Sequence, residues 1–501
     1  MTRSAPLAMD AATFRDLGHR LVDQVAACLE ALPDGPVTRD ASPSAVRQAL
    51  GLNGPLPESG TAAGPLLEET TRLLFQHSLF NGHPRFFGYI TASPAPIGML
   101  GDFLAAAVNA NVGAWALSPA ATEIEAQTVR WIAQFLGYPA DCGGLVVSGG
   151  NMANIVCFMA ARAAKAGWDV RARGVTGGDG RALRVYASAE THTWLQKAAD
   201  MTGLGTDAIR WIATDRQLRM DVAALGRQIA ADVAAGDIPC LVVGTAGSVS
   251  TGAIDPLPRI AALCREHGVW FHVDGAYGGF AAAVPDAPAD LRALGEADSV
   301  AVDPHKWLYA PLEAGCALVR DGEALRAAFA YHPPYYHFDE HATNYLDYGP
   351  QNSRGFKALK VWLALRQAGA AGYRTMIGDD IRLARQLADA VTRHPELELT
   401  SQALSITTFR YVPAELRAAV GTEAGERELD VLNRALLDRL QRGGEAFVSN
   451  AVIDGRYVLR ACVVNFHTTP ADIEALPGIV VGTGRAVAAE LTLRPQGASR
   501  R

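Results

Sequence analysis

Three short segments hold the residue types that chemistry on an aldehyde cofactor requires. In Asp303-Pro-His-Lys-Trp307 the lysine follows the apolar run Ser299-Val-Ala-Val302. A lysine at a strand end, beside Trp307, Leu308 and Tyr309, stands where desolvation can activate its amine toward an aldehyde, so Lys306 is a Schiff-base candidate. The run Val269-Trp-Phe-His-Val-Asp274 ends 32 residues upstream of Lys306. Its aspartate is followed by Gly275 and Ala276, which leave room for a flat ring, and a carboxylate there can keep a heterocyclic nitrogen protonated. Taken alone, such a strand end also serves as a helix cap. The third segment, Val146-Val-Ser-Gly-Gly-Asn151, runs into a helical pattern over 152–166. A strand, a glycine turn and a helix N-terminus offer free N–H groups and a positive dipole end to a phosphate, although an ordinary turn has the same composition. Neither G-x-G-x-x-G nor G-x-x-x-x-G-K-[ST] occurs, so a dinucleotide or nucleoside-triphosphate loop is not indicated. A lysine for the aldehyde, a carboxylate for the ring nitrogen and a phosphate turn together match the demands of pyridoxal phosphate.

Such residues need strand ends to hold them. From 83 to about 369 short apolar runs end in small or acidic residues and alternate with helical patterns: Gly144-Leu-Val-Val-Ser148, Leu183-Arg-Val-Tyr-Ala187, Cys240-Leu-Val-Val-Gly244 and the Asp274 run. This predicts an α/β unit with a mostly parallel sheet, whose ligands gather at the carboxyl ends of the strands. Ahead of it, Phe14, Leu17, Leu21, Val25, Cys28 and Leu32 fall at helical spacing, and a second helical segment covers 65–75 beyond a Gly/Pro-rich stretch. Two helices joined so loosely have no core of their own. After a helical pattern over 354–368, a helix over 377–393, alternating runs at 404–412 and 446–464 and a helix over 426–440 predict a smaller α+β unit. The division expected is 1–82, an N-terminal helical segment packing on a partner subunit; 83–375, the cofactor-binding unit; 376–493, the small unit; and 494–501, a disordered tail.

The chain has 501 residues, 49% hydrophobic and 19% charged, with a net charge of −7. It has material for a large core and no positive field suited to general nucleic-acid binding. Its seven cysteines are scattered, without C-x-x-C, which fits a reducing cytoplasm better than a disulfide framework or a structural zinc site. No apolar run approaches the roughly 18 residues of a membrane span, and no signal-peptide core is seen near the start. His337 and His341 flank Asp339 and Glu340 after Pro333-Pro334. This is not H-E-x-x-H, and no metal site is expected.

With these motifs in order, the sequence resembles the group II pyridoxal-phosphate decarboxylases, the aromatic-L-amino-acid decarboxylase family. The resemblance runs through His83-Pro-Arg-Phe-Phe-Gly-Tyr89, Ser118-Pro-Ala-Ala-Thr-Glu123, Ser148-Gly-Gly-Asn-Met-Ala-Asn154, Thr191-His192-Thr193, Gly247-Ser-Val-Ser-Thr-Gly252 and the Asp274 and Lys306 segments. It implies a fold-type I enzyme, homodimeric, in which Lys306 carries the cofactor, Asp274 pairs with its pyridine nitrogen and Ala276 packs on its ring. Gly149, Gly150 and Asn151 would hold the phosphate with His305 close by, and His192 would stack on the ring and orient the substrate carboxylate. Tyr335, in His332-Pro-Pro-Tyr-Tyr-His337, matches the tyrosine of an active-site lid that protonates Cα, with Tyr336 one register away. Three positions depart from the animal enzymes of the family. Asp303 replaces an asparagine near the phosphate, Val249 a threonine that reaches the cofactor hydroxyl, and Gly113 a phenylalanine against the substrate ring.

The implied reaction is decarboxylation of an aromatic or bulky L-amino acid to the amine and CO2. Ser353 stands where plant relatives of tyrosine type tend to carry serine, which leans toward a phenyl or phenol side chain. Oxidative deamination to an aldehyde, as in family members lacking the lid tyrosine, is the second outcome and is disfavoured by Tyr335. Aminotransferase or carbon–carbon lyase chemistry on the same fold ranks below it. A catalytically silent binding protein ranks last, because Lys306, Asp274 and the phosphate turn are all intact.

Overall fold

A computed structural model describes residues 5–52, 54–333 and 342–492. Seven strands build its main sheet: β1 (Gly143–Val147), β2 (Leu183–Ser188), β3 (Ile209–Ile212), β4 (Ile238–Thr245), β5 (Trp270–Asp274), β6 (Ser299–Val302) and β7 (Gly315–Val319). Their order is β1-β7-β6-β5-β4-β2-β3, and β7 alone runs against its neighbours β1 and β6. In register, Thr245 pairs with Asp274 and Asp274 with Ala301, so β4, β5 and β6 finish side by side.

Both faces of this sheet are covered, which is why its strands read as unbroken apolar runs. On β6, Val300 and Val302 enter one core and Ala301 the other. Helix Pro119–Leu136 supplies Val129, Ile132 and Ala133 to the first core. Helix Gly150–Lys165 supplies Ala153, Val156 and Cys157 to the second, small residues that let it lie close to the strands.

The expected N-terminal helices form Ala11–Ala31 and Ala63–His77. Asp10 caps the first, accepting the Thr13 N–H at 2.7 Å. The two meet through Arg20 and Glu68, 2.7 Å apart, and bury Leu17 and Leu73, while Phe14, Val22, Leu66 and Leu74 remain exposed. Helix Pro96–Val108 continues this apolar surface with Leu100, Phe103, Leu104 and Val108, and Phe14 stacks on Phe103.

A second, antiparallel sheet orders β8 (Leu397–Ala403), β9 (Ile406–Tyr411), β10 (Ser449–Ile453) and β11 (Arg456–Cys462) as β10-β11-β9-β8. Helices Glu423–Gly443 and Pro470–Thr492 pack Leu432, Leu436, Ile473 and Val480 into its core. The run at 446–464 divides into β10 and β11 at Asp454-Gly455, both in the left-handed region that a two-residue hairpin turn requires. The two helices expected at 354–368 and 377–393 join as Ala358–Arg393, broken at Gly369, where φ is 63° and ψ 169°. Residues 494–501 lie outside the described residues. Among the described residues no helix is long and apolar enough to cross a membrane.

Candidate active site

The carboxyl ends of β1, β2, β4, β5 and β6 surround one cavity of ≈ 290 Å³, whose walls include Gly149, His192, Thr245, Asp274, His305 and Lys306. Gly150, Asn151, Ala276 and Asp303 also line it, so all the cofactor residues expected from sequence come together in space. Tyr335 and Tyr336, with His337 and His341, lie outside the described residues. The chain leading toward them is fixed at His332, whose Nε2 is 3.0 Å from Asp347, and at Tyr331, whose ring lies 4.1 Å below Arg171.

The phosphate turn follows from β1 and its glycines. Gly149 sits at φ 144°, backbone that side chains rarely adopt. Helix Gly150–Lys165 makes its first bond from Ala153 N–H to Gly149 O, and the cap position offers no side chain. The N–H groups of Gly150, Asn151 and Met152 therefore have no acceptor within the helix and are available to an anion. A Cβ on Gly150 would lie 2.7 Å from Asp303 Oδ2 and 3.0 Å from Ala276 Cβ. The floor beneath is equally tight, because a Cβ on Gly315 of β7 would stand 2.4 Å from the Gly149 carbonyl carbon. Gly315→Ala is accordingly expected to lower stability by about 1–3 kcal/mol and to loosen cofactor retention, as read by the urea midpoint and by cofactor kept through dialysis.

Lys306 lies in the short helix Pro304–Trp307 after β6. Its neighbours differ from the apolar setting expected, since Nζ is 3.1 Å from Asp303 Oδ2. Asp303 is buried, with His305 Nε2 3.6 Å from the same oxygen. The negative charge that Asp303 brings close to the glycine turn is thus paired with the lysine. His305 is oriented by Ala314 O, 2.7 Å from Nδ1, which turns Nε2 toward the site. Burial pulls the His305 and His192 pKa values below the ordinary histidine range, favouring neutral rings at neutral pH.

Trp307 and Tyr309 turn instead to Asp380, which accepts the Trp307 indole N–H at 2.9 Å and the Tyr309 hydroxyl at 2.7 Å. Burial raises the Asp380 pKa to about 7. The sign follows from the proton count. Between about pH 4 and pH 7 the folded chain keeps a proton that the unfolded chain has released, so this group costs stability as pH rises through that window. Asp380→Asn keeps an acceptor for both donors without the charge. Its stability relative to the parent should be higher at pH 8 than at pH 5 by on the order of 1 kcal/mol or more, measured by urea unfolding.

Asp274 ends β5 with one oxygen, Oδ1, accepting Ala276 N–H at 3.1 Å and the other accepting the Trp194 indole N–H at 2.7 Å. His192 precedes the helix Trp194–Met201, and its Nδ1 accepts the Trp194 backbone N–H at 3.2 Å. Val249 lines the cavity with an apolar side chain, and its carbonyl accepts from Arg460. Thr245, at the last position of β4, places a hydroxyl-bearing side chain in the same wall. Sequence reasoning passed over Thr245 and gave Trp194 no role. The first had a usable signal, a polar residue directly closing the run Cys240-Leu-Val-Val-Gly244; the second had none.

An uncapped helix N-terminus, a buried carboxylate and a lysine around one cavity fit pyridoxal phosphate by charge and donor type. The family model of the pyridoxal-dependent decarboxylase conserved domain matches residues 46–412. The chain belongs to this family. Family membership brings the cofactor, pyridoxal phosphate, and the reaction class, decarboxylation of an amino acid by a carboxy-lyase. The chain is 33% identical over 475 residues to an aromatic-L-amino-acid decarboxylase of Bacillus atrophaeus, covering 94% of this chain and 95% of the relative. It is 28% identical over 468 residues to a phenylacetaldehyde synthase of Arabidopsis thaliana, covering 91% and 92%. Among solved structures, Oryza sativa TDC with PLP and tryptamine superimposes with a TM-score of 0.88 at 28% identity, covering 97% of this chain and 99% of that one.

Proposed function

We propose that this decarboxylase acts on an aromatic L-amino acid, releasing CO2 and the arylalkylamine, as a cytoplasmic homodimer. The observation that carries the residue assignment is the convergence of Lys306, Asp274, His192 and the uncapped helix N-terminus on one cavity. When bound, pyridoxal phosphate supplies an electron sink for the bond broken at Cα. Lys306 would hold it covalently, Asp274 would pair with its ring nitrogen, and Ala276 would pack on the ring. Gly149, Gly150, Asn151 and His305 would bind its phosphate. His192, with Nδ1 engaged as an acceptor, turns a neutral Nε2–H to the substrate and orients the carboxylate that leaves. Tyr335 is assigned the return of a proton to Cα.

The aromatic substrate class is supported by the Bacillus atrophaeus relative, and Ser353 leans toward a phenyl or phenol ring. The likeness to a phenylacetaldehyde synthase keeps aldehyde formation as the second reading. A screen of the twenty amino acids for CO2, amine and aldehyde separates the two, and amine from an aromatic substrate is expected. Turnover confined to acidic amino acids, or aldehyde as the main product, would defeat the proposal.

The units 1–82, 83–375 and 376–493 are proposed as the working division, with the first packing on a partner subunit. Support comes from the exposed apolar side chains Phe14, Val22, Leu66, Leu74, Leu100 and Leu104 on these helices and on helix Pro96–Val108, whose Phe103 stacks on Phe14. Sedimentation at working concentration should give a dimer, and an active monomer would refute it.

A further inference from the structure

Trp194 is buried to 1% exposure, and its indole is gripped edge-on by two rings, Phe158 at 6.5 Å and His272 at 5.8 Å between centroids. His272 cannot drift, because Ser299 Oγ lies 2.8 Å from its Nδ1 and Asn154 Oδ1 2.7 Å from its Nε2. Held this way, the indole N–H meets Asp274 Oδ2 at 2.7 Å, short for N–H···O and suited to donation into a carboxylate. The same residue's backbone N–H fixes His192. One side chain and its own peptide therefore set two walls of the cavity.

The geometry points to Trp194 as a positioning residue that keeps the cofactor's ring proton on nitrogen, by making Asp274 the weaker base of the two groups that share it. This rests on the proposed pairing of Asp274 with the pyridine nitrogen. A proton shared between a pyridine and a carboxylate settles on the stronger base. Each hydrogen bond donated to a carboxylate stabilises its ionised form and weakens it as a base. Asp274 is 7% exposed, so water contributes little, and among the described residues Ala276 N–H and the Trp194 indole donate to it. Without the indole N–H, Asp274 competes harder for the proton and the ring loses the positive charge that draws electrons from Cα. A packing role alone would require only ring volume, which phenylalanine largely retains.

The test uses holoenzyme loaded with pyridoxal phosphate carrying ¹⁵N in the ring, in the parent, W194F and D274N, read by NMR. In the parent the ring nitrogen should resonate as protonated, and in D274N as neutral. In W194F it should move part of the way to neutral, and the pyridoxal phosphate dissociation constant should rise about tenfold, the effect of one hydrogen bond to a charged group. A D274N shift with W194F matching the parent in both readouts would overturn the role of Trp194 and leave the Asp274 pairing standing. No shift in D274N would overturn the pairing and the inference together. Should W194F not fold, the parent labelled with ¹⁵N-tryptophan decides: one of its eight indole N–H resonances should move when cofactor is added to the apoprotein, and an unchanged set would overturn the inference.

Discussion

Lys306→Ala is expected to eliminate the borohydride-trappable link between protein and cofactor and to lower turnover by about 10⁴-fold or more, while leaving the fold in place. The first half follows from Lys306 being the only lysine that lines the cavity among the described residues. The second follows from what its replacement leaves behind. Asp303 would lose the cation 3.1 Å away and become a buried carboxylate beside the phosphate turn, with His305 at 3.6 Å as its nearest cationic candidate. Cofactor affinity should therefore fall along with chemistry. Lys306→Ala, Asp303→Asn should recover part of that affinity without recovering turnover, because the double variant removes the unpaired charge and still lacks the amine. The measurements are reduction with borohydride followed by peptide mapping, and equilibrium dialysis of the cofactor. Wild-type turnover in Lys306→Ala would remove the anchor assignment.

That Lys306, Asp274 and the glycine turn share one cavity was legible because a buried parallel strand writes itself as an apolar run and the residues at its carboxyl end follow directly. Lys306 comes after β6, Asp274 ends β5 and the glycine turn follows β1, each within four residues of its run. What sequence could not show depends on contacts far apart in the chain. The indole of Trp194 meets Asp274 across 80 positions, and a side chain on Gly315 would run into Gly149 in the turn that follows β1. The Asp303–Lys306 pair is local, yet its sign was hidden, because an aspartate three residues ahead of a lysine reads as repulsive or paired according to which side chain turns inward. In the second sheet, β8 went unread: Leu397 is buried, but the polar, partly exposed residues that follow it give no apolar run. The outer faces of the N-terminal helices were readable as unfinished packing, which is how Phe14 and Val22 stand.

Tyr335→Phe is expected to separate bond breaking from proton return. Loss of CO2 leaves Cα in need of a proton, and the neutral phenol assigned to Tyr335 carries one that phenylalanine lacks. Removing a general acid of this kind costs about 10²–10⁴-fold in the step it serves. CO2 release should persist, and amine should fall by up to that factor. In air the electrons left at Cα have another acceptor. One amino acid, one O2 and one water then yield one aldehyde, one CO2, one ammonia and one hydrogen peroxide, so aldehyde and peroxide should appear in equal amounts and vanish under nitrogen. Cofactor content should match the parent, since Lys306, Asp274 and the glycine turn are untouched. The likeness to a phenylacetaldehyde synthase gives the branch a chemical precedent among relatives of this chain. Tyr336→Phe serves as the register control and should leave the product ratio unchanged. Equal amine from Tyr335→Phe and the parent, with no aldehyde in air, would transfer the proton to Tyr336 or to His192, whose imidazole lines the cavity and is biased toward its neutral form by burial.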